Sequence, residues 1–267
     1  MTELNNAVIV LTGATGGFGQ ELTSQLLQAG SQLILSDLNQ GALDSQTAKM
    51  SSEITTGKII ACIKSDLSSG EGCQALFDQV RALKIPIDIL INNAGIGLFG
   101  RMDEVPGDKW ERLMQVNLMA PMRLSSLFVS DMIDRRQGHI VNISSLAGWI
   151  APAGMAHYSC SKFGLRGFSE GLLNEVKPYN VKVTAVYPFF SKTPILQSER
   201  FGTLAENGTG FPEHLATDPA KVMAKTIKAI VNNQLHVFPD KMANSIHLLK
   251  QYFPKLYDLM SDRFTAN

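Results

Sequence analysis

Seven short runs rich in Val, Ile and Leu recur along the chain: Ala7–Leu11, Gln32–Ser36, Lys58–Ile63, Ile87–Ile91, His139–Ile143, Val181–Val186 and Leu235–Phe238. Most carry no regular alternation of apolar and polar residues. A strand with one wet face alternates, so runs of this kind read as strands buried on both faces, as in a parallel sheet covered by helices. Between them, apolar residues recur about every 3.6 positions, the helical period. These stretches are Gln20–Ala29, closed by Gly30, then about Gly72–Lys84, Trp110–Arg135, His157–Lys177 and Pro219–Asn232. Asp218 and Pro219 make a helix start, as N-cap and first helical residue. Strand and helix alternate over about the first 190 residues, with no internal repeat and no linker-like tract. The expected architecture is one doubly wound α/β domain over residues 1–267.

Charge and cysteine usage narrow the function classes. Lys plus Arg and Asp plus Glu each number 24, so the chain lacks the basic excess that neutralises nucleic-acid phosphates. Cys62, Cys73 and Cys160 fit neither CxxC nor a Cys/His ligand spacing, and the five histidines form no HExxH pair, so no metal site is expected. No apolar run reaches the 18 or more residues of a membrane span, and Met1–Asn6 carries no leader signature. A cytoplasmic protein with reduced thiols is the expectation.

The first apolar run leads into Thr12-Gly13-Ala14-Thr15-Gly16-Gly17-Phe18-Gly19, which opens a helical stretch. Glycines let such a turn approach a pyrophosphate closely, and the helix N-terminus offers unpaired N–H groups and a partial positive charge. The second run is followed by Asp37, 24 residues beyond Gly13. A carboxylate there binds the adenosine ribose hydroxyls of NAD and repels the extra phosphate of NADP. The turn has no Lys or Arg to hold that phosphate, so NAD is expected over NADP.

Tyr158 and Lys162 stand four residues apart in a helical stretch, on one face. A nearby cation favours a phenolate, so the pair can serve as an acid/base for alcohol–carbonyl interconversion. Upstream, Ile140-Val141-Asn142-Ile143-Ser144-Ser145 reads as a strand ending in two hydroxyls at the ligand-binding edge of the sheet, where either serine could hold a substrate oxygen.

Taken together, Thr12-Gly13-x-x-x-Gly17-x-Gly19, Asn92-Asn93-Ala94-Gly95, Asn117, Ser145 and Tyr158-x-x-x-Lys162 resemble the short-chain dehydrogenase/reductase family over roughly residues 7–240. The resemblance implies a Rossmann fold with a seven-stranded parallel sheet flanked by helices, and a homodimer or homotetramer; beyond it, residues 241–267 are expected to form a C-terminal helical extension. It implies Tyr158 as acid/base, Lys162 as the residue that lowers its pKa and holds the nicotinamide ribose, and Ser145, thirteen residues before Tyr158, as the substrate-orienting serine. Asn117 matches the residue whose kinked helix holds a relay water. The cofactor would be lined by Gly13, Thr15, Gly17, Phe18, Gly19, Asp37, Asp66, Leu67, Asn93, Ala94, Gly95, Tyr158, Lys162, Pro188 and Thr193. Phe189 departs from the family pattern, replacing the glycine after Pro188.

Substrate choice is expected to lie in 95–102, 146–156 and the lid region 189–215, whose Ile195, Leu196, Phe201, Leu204 and Phe211 favour a lipophilic alcohol or ketone, and whose Gly202, Gly208 and Gly210 suit a mobile lid. Trp149 and Met155 are candidate substrate contacts. His157 is expected to face away from Tyr158, and Cys160 to be a small buried residue. Ser245–Phe264 reads as an amphipathic helix interrupted by Pro254, packing on its own domain or a neighbouring subunit, with a peripheral membrane element as the alternative. The rival functions are an NADPH-dependent 3-oxoacyl-acyl-carrier-protein reductase and a non-catalytic NAD-binding regulator.

Overall fold

The apolar runs form strands, and burial along their whole length is what organises the fold. In the computed structural model, which describes residues 1–207 and 215–265 (the side chains of 207 and 261–265 excepted), nine strands follow in chain order. They are β1 (Val8–Thr12), β2 (Gln32–Asp37), β3 (Lys58–Lys64), β4 (Ile89–Asn92), β5 (Phe99–Gly100), β6 (Gly138–Ile143), β7 (Val181–Val186), β8 (Arg200–Phe201) and β9 (His236–Val237). Seven make one parallel sheet in the order β3-β2-β1-β4-β6-β7-β9. The short β5 and β8 pair with each other in a separate parallel ribbon.

The helices are α1 (Gly17–Gln28), α2 (Gln40–Glu53), α3 (Gly70–Ala82), α4 (Gly107–Met114), α5 (Ala120–Asp134), α6 (Ala156–Val176), α7 (Gly202–Asn207), α8 (Pro219–Val231), α9 (Lys241–Tyr252) and α10 (Pro254–Thr265). Alternate residues of β1 feed opposite cores. Ile9 and Leu11 pack with Leu22 and Leu26 of α1 and Ile230 of α8. Val8 and Val10 pack with Leu76 of α3, Phe128 of α5 and Leu172 of α6. This is the doubly wound Rossmann arrangement expected. Strand order reverses between β1 and β4, so the loops leaving the C-terminal strand ends part there and leave a crevice.

Four expectations about the elements need correction. The sequence pattern gave no helix at α2, because this helix is polar and only Leu43 is buried. Its start is set instead by Asn39, whose side chain accepts from Ala42 N–H. The stretch Trp110–Arg135 is not one helix: a π turn at Gln115–Met119 separates α4 from α5. The tail begins at Lys241, capped by Asp240, four residues before the expected Ser245, and breaks at Pro254 as expected, giving two helices. The last sheet strand is only His236–Val237. Gly208, Gly210 and Phe211 of the lid lie outside the described residues. Among the described residues, no helix is long and apolar enough to cross a membrane.

Candidate active site

A cleft of about 1500 Å³ runs along the C-terminal edge of the sheet. One end is built on the glycine turn. Gly13 has φ +65°, and a Cβ there would stand 2.7 Å from Ala94 Cα, so the turn after β1 and the turn after β4 can touch only because residue 13 has no side chain. Thr12 ties the two turns together: its Oγ1 accepts from the N–H groups of Asn93 and Ala94 (both 3.1 Å), while Asn93 Nδ2 donates to Gly13 O (2.9 Å). At α1, unlike α2, α3, α8 and α9, no side chain caps the N-terminus. Its first-turn N–H groups are left for a ligand, which fits a pyrophosphate.

Asp37 lines the same end, with Oδ2 accepting from Thr15 N–H (2.9 Å) and Oδ1 from Leu38 N–H (2.8 Å). Asp66 and Leu67 form the facing wall, and hydrogen bonds from Ser68 hold the Asp66 carboxyl below the ordinary carboxylate range. Gly95, Phe18 and Pro188 also line the cleft. Thr193 packs onto the glycine turn, so that a Cβ on Gly17 would stand 2.5 Å from its methyl group. Phe189, where the family pattern has glycine, is not among the positive-φ positions, so its side chain stands there without backbone strain.

The other end is built on α6. Tyr158, Lys162, Leu165, Ser169, Leu172 and Val176 recur at helical spacing on its buried face. The lower four pack among the sheet and helices; the same face, extended beyond the sheet edge, delivers Tyr158 and Lys162 into the cleft. The Tyr158 hydroxyl lies close to the Ser145 side chain. The paired hydroxyls of the strand end divide their roles: Ser144 Oγ donates to Lys162 O (3.1 Å), while Ser145 faces the phenol.

Burial pushes the Tyr158 phenol up to about 12, with the Ser145 hydrogen bond pulling weakly the other way, and pushes the Lys162 ammonium down to about 8. Lys162 Nζ donates to Ile143 O (3.1 Å) and sits 5.6 Å from the Tyr158 ring centroid. Asn117 is buried within the π turn, where Ala120 N–H reaches back to Gln115 O. Its side chain pairs with both backbone groups of Ile96 (2.9 Å each), fixing the kinked helix to the loop after β4.

A family model described as short chain dehydrogenase matches residues 7–202. The chain belongs to the short-chain dehydrogenase family. It is an oxidoreductase of the kind that acts on CH–OH groups with a nicotinamide cofactor. It is 33% identical to the epidermal retinol dehydrogenase 2 of Mus musculus, over 92% of this chain and 78% of that protein. It is 35% identical to a 3-oxoacyl-acyl-carrier-protein reductase of Aquifex aeolicus, over 72% of this chain and 76% of that one. Among solved structures, a short-chain dehydrogenase/reductase of Burkholderia phymatum in complex with NAD superposes with TM-score 0.83, at 25% identity and 96% coverage of both chains.

Within this short-chain dehydrogenase, several side chains sit where the sequence did not suggest. Trp149 does not line the cleft. It joins an aromatic cluster with Tyr187, His236, Phe238 and His247, and Arg166 lies 3.3 Å from its ring centroid. Met155 does line the cleft. Cys160 is exposed, not buried, because it falls on the outer face of α6 together with Phe163. His157 faces away from the cleft as expected; it is buried, its Nε2 meets Leu98 O (3.1 Å), and burial lowers its pKa.

The β5–β8 ribbon was not foreseen either, since two-residue strands carry no periodicity. It ties the loop after β4 to the lid, reinforced by Glu104, which accepts from Thr203 N–H (2.8 Å) at the start of α7.

Proposed function

We propose that this chain transfers hydride reversibly between NAD(H) and a lipophilic secondary alcohol or ketone, with residues 1–267 acting as one domain. The observation that carries the reading is the meeting of Ser145, Tyr158 and Lys162 at one end of a cleft whose other end is the glycine turn and Asp37. The nicotinamide cofactor, when bound, supplies the hydride acceptor or donor.

The chain's own residues manage the proton and the orientation. Ser145 Oγ holds the substrate oxygen. Tyr158 passes its proton to that oxygen in ketone reduction and takes it back in alcohol oxidation. Burial keeps the phenol protonated at neutral pH, the form that donates to a carbonyl. Lys162 supplies the positive charge near the ring, and Asn117 fixes the kinked helix beside the site. Gly13, Thr15, Gly17, Phe18, Asp66, Leu67, Asn93, Ala94, Gly95, Pro188 and Thr193 form the cofactor walls, while Gly19, predicted among them, lies behind the cleft lining, packed against Gly13 O and Ala14.

The preference for NAD rests on Asp37, whose carboxylate repels a 2′-phosphate and accepts from ribose hydroxyls. NADH is expected to bind more tightly than NADPH, and Asp37→Ala to weaken NADH about tenfold or more, the loss of a charge-assisted pair of hydrogen bonds. Titration of both dinucleotides into both proteins checks this. Tighter NADPH binding by the wild type would overturn the NAD reading and bring forward the acyl-carrier-protein reductase function, which the Aquifex aeolicus relative favours.

A lipophilic substrate is supported by the apolar lining contributed by Leu98, Ile150, Met155, Phe189, Ile195 and Leu196, and by the similarity to a retinol dehydrogenase. Turnover of medium-chain alcohols, hydroxysteroids or retinol above that of 3-hydroxyacyl thioesters is the expected result of a dehydrogenase screen. The reverse order would refute the lipophilic reading. A cytoplasmic homodimer or homotetramer completes the proposal.

A further inference from the structure

The C-terminal extension reaches the cleft through one carboxylate. Asp240, buried between β9 and α9, uses its two oxygens on two different elements. Oδ1 accepts from Ala243 N–H (2.7 Å) and caps α9; Oδ2 accepts from Phe189 N–H (2.9 Å) in the loop that follows β7. That loop is held elsewhere by Leu146 N–H on Pro188 O (2.9 Å) and by Thr217, whose N–H donates to Phe190 O (2.8 Å). A few residues on, Thr193 presses on Gly17.

The extension touches the other wall as well. His247 of α9 stacks on Phe238 (4.0 Å between centroids, 14° between planes) and meets Trp149 edge-on at 4.2 Å, in the segment that follows Ser145. Both segments framing the reacting end of the cleft therefore rest on α9.

We propose that Asp240 is a positioning residue: by accepting from Phe189 N–H while capping α9, it sets the height of the 188–193 loop against the nicotinamide half of the cofactor. This rests on the cofactor reading above. The contact is selective by chemistry. Both N–H groups need an acceptor, and a carboxylate provides two, whereas an amide offers one oxygen and a group that only donates. The adenosine half is held by other elements (the glycine turn, Asp37, Asp66), none of which contacts Asp240.

The test compares binding of NADH with that of ADP-ribose, which lacks the nicotinamide, in wild type, Asp240→Asn and Asp240→Ala. In Asp240→Ala the Kd for NADH is expected to rise about tenfold while that for ADP-ribose stays within about twofold, with Asp240→Asn between wild type and Ala for NADH. Intact ADP-ribose binding certifies that the variants are folded. NADH affinity unchanged in Asp240→Ala, or equal losses for both ligands, overturns the positioning role. A wild-type protein that binds ADP-ribose or NADH not at all overturns the cofactor reading itself, and the inference with it.

Discussion

Tyr158→Phe is expected to lower kcat by about 10²–10⁴-fold, the usual worth of a positioned acid/base, and to leave NADH affinity within about twofold. The substitution removes one oxygen from a ring that is almost wholly buried, so packing is preserved. What disappears is the hydroxyl beside Ser145 that gives a proton to the substrate oxygen in the proposed mechanism. The loss should fall on kcat rather than on cofactor binding, because the cofactor walls are made by other residues. Stability should change little, since the net worth of one hydrogen bond is about 1 kcal/mol and the Ser145 hydroxyl, only partly buried, can turn to water. Steady-state kinetics and NADH titration on the same preparation check both halves. Turnover near the wild-type rate would remove Tyr158 from the mechanism.

Those parts of the fold and site governed by local sequence could be read in advance. Strands buried on both faces announce themselves as unbroken Val/Ile runs, which is why β1, β2, β6 and β7 fall within a residue or so of expectation. Tyr158 and Lys162 were legible because a four-residue spacing fixes a shared helix face.

What escaped depends on contacts distant in sequence or on burial. Helix α2 is held by a cap and one buried leucine, too little to leave a period. Trp149 is drawn from the cleft by aromatic partners 38 to 98 residues away, just after β7, on β9 and on α9, which no local pattern encodes. Asp240 was invisible for the same reason: its hydrogen bond to Phe189 spans 51 residues. The depth at which Tyr158 and Lys162 lie was hidden too, because a four-residue spacing shows a shared helix face and not how thoroughly that face is buried.

That burial yields the second large effect. Lys162→Met is expected to abolish turnover and yet stabilise the fold at neutral pH. Burial lowers the Lys162 pKa from 10.5 to about 8, a difference of about 2.5 units that corresponds to about 3 kcal/mol of desolvation carried by the charged form. Met fills similar volume without charge, but leaves Ile143 O without the ammonium that now donates to it, an offset of about 1–2 kcal/mol. The net gain should be about 1–2 kcal/mol at pH 7, a Tm rise of about 2–8 °C for a chain of this size.

The pH dependence separates this from a generic packing effect. Below about 8, folded and unfolded wild type both hold the Lys162 proton and the penalty is complete. Between about 8 and 10.5 the unfolded state binds more protons, so wild-type stability rises with pH while that of the Met variant does not respond through this group. Tyr158 works in the opposite sense: with its pKa raised from 10.0 to about 12, the unfolded chain ionises first and stability falls above pH 10. Both proteins share that loss, so it cancels in their difference.

The advantage of Lys162→Met should therefore be largest at pH 7 and vanish or reverse by about pH 10.5, as read by denaturant unfolding at the two pH values. A Met variant less stable than wild type at pH 7 would mean that the ammonium is better solvated than its burial implies. A gain that persists unchanged to pH 10.5 would mean that packing, not charge, produces it. In either case the placement of a charged amine under the catalytic tyrosine would no longer count as stability surrendered for function.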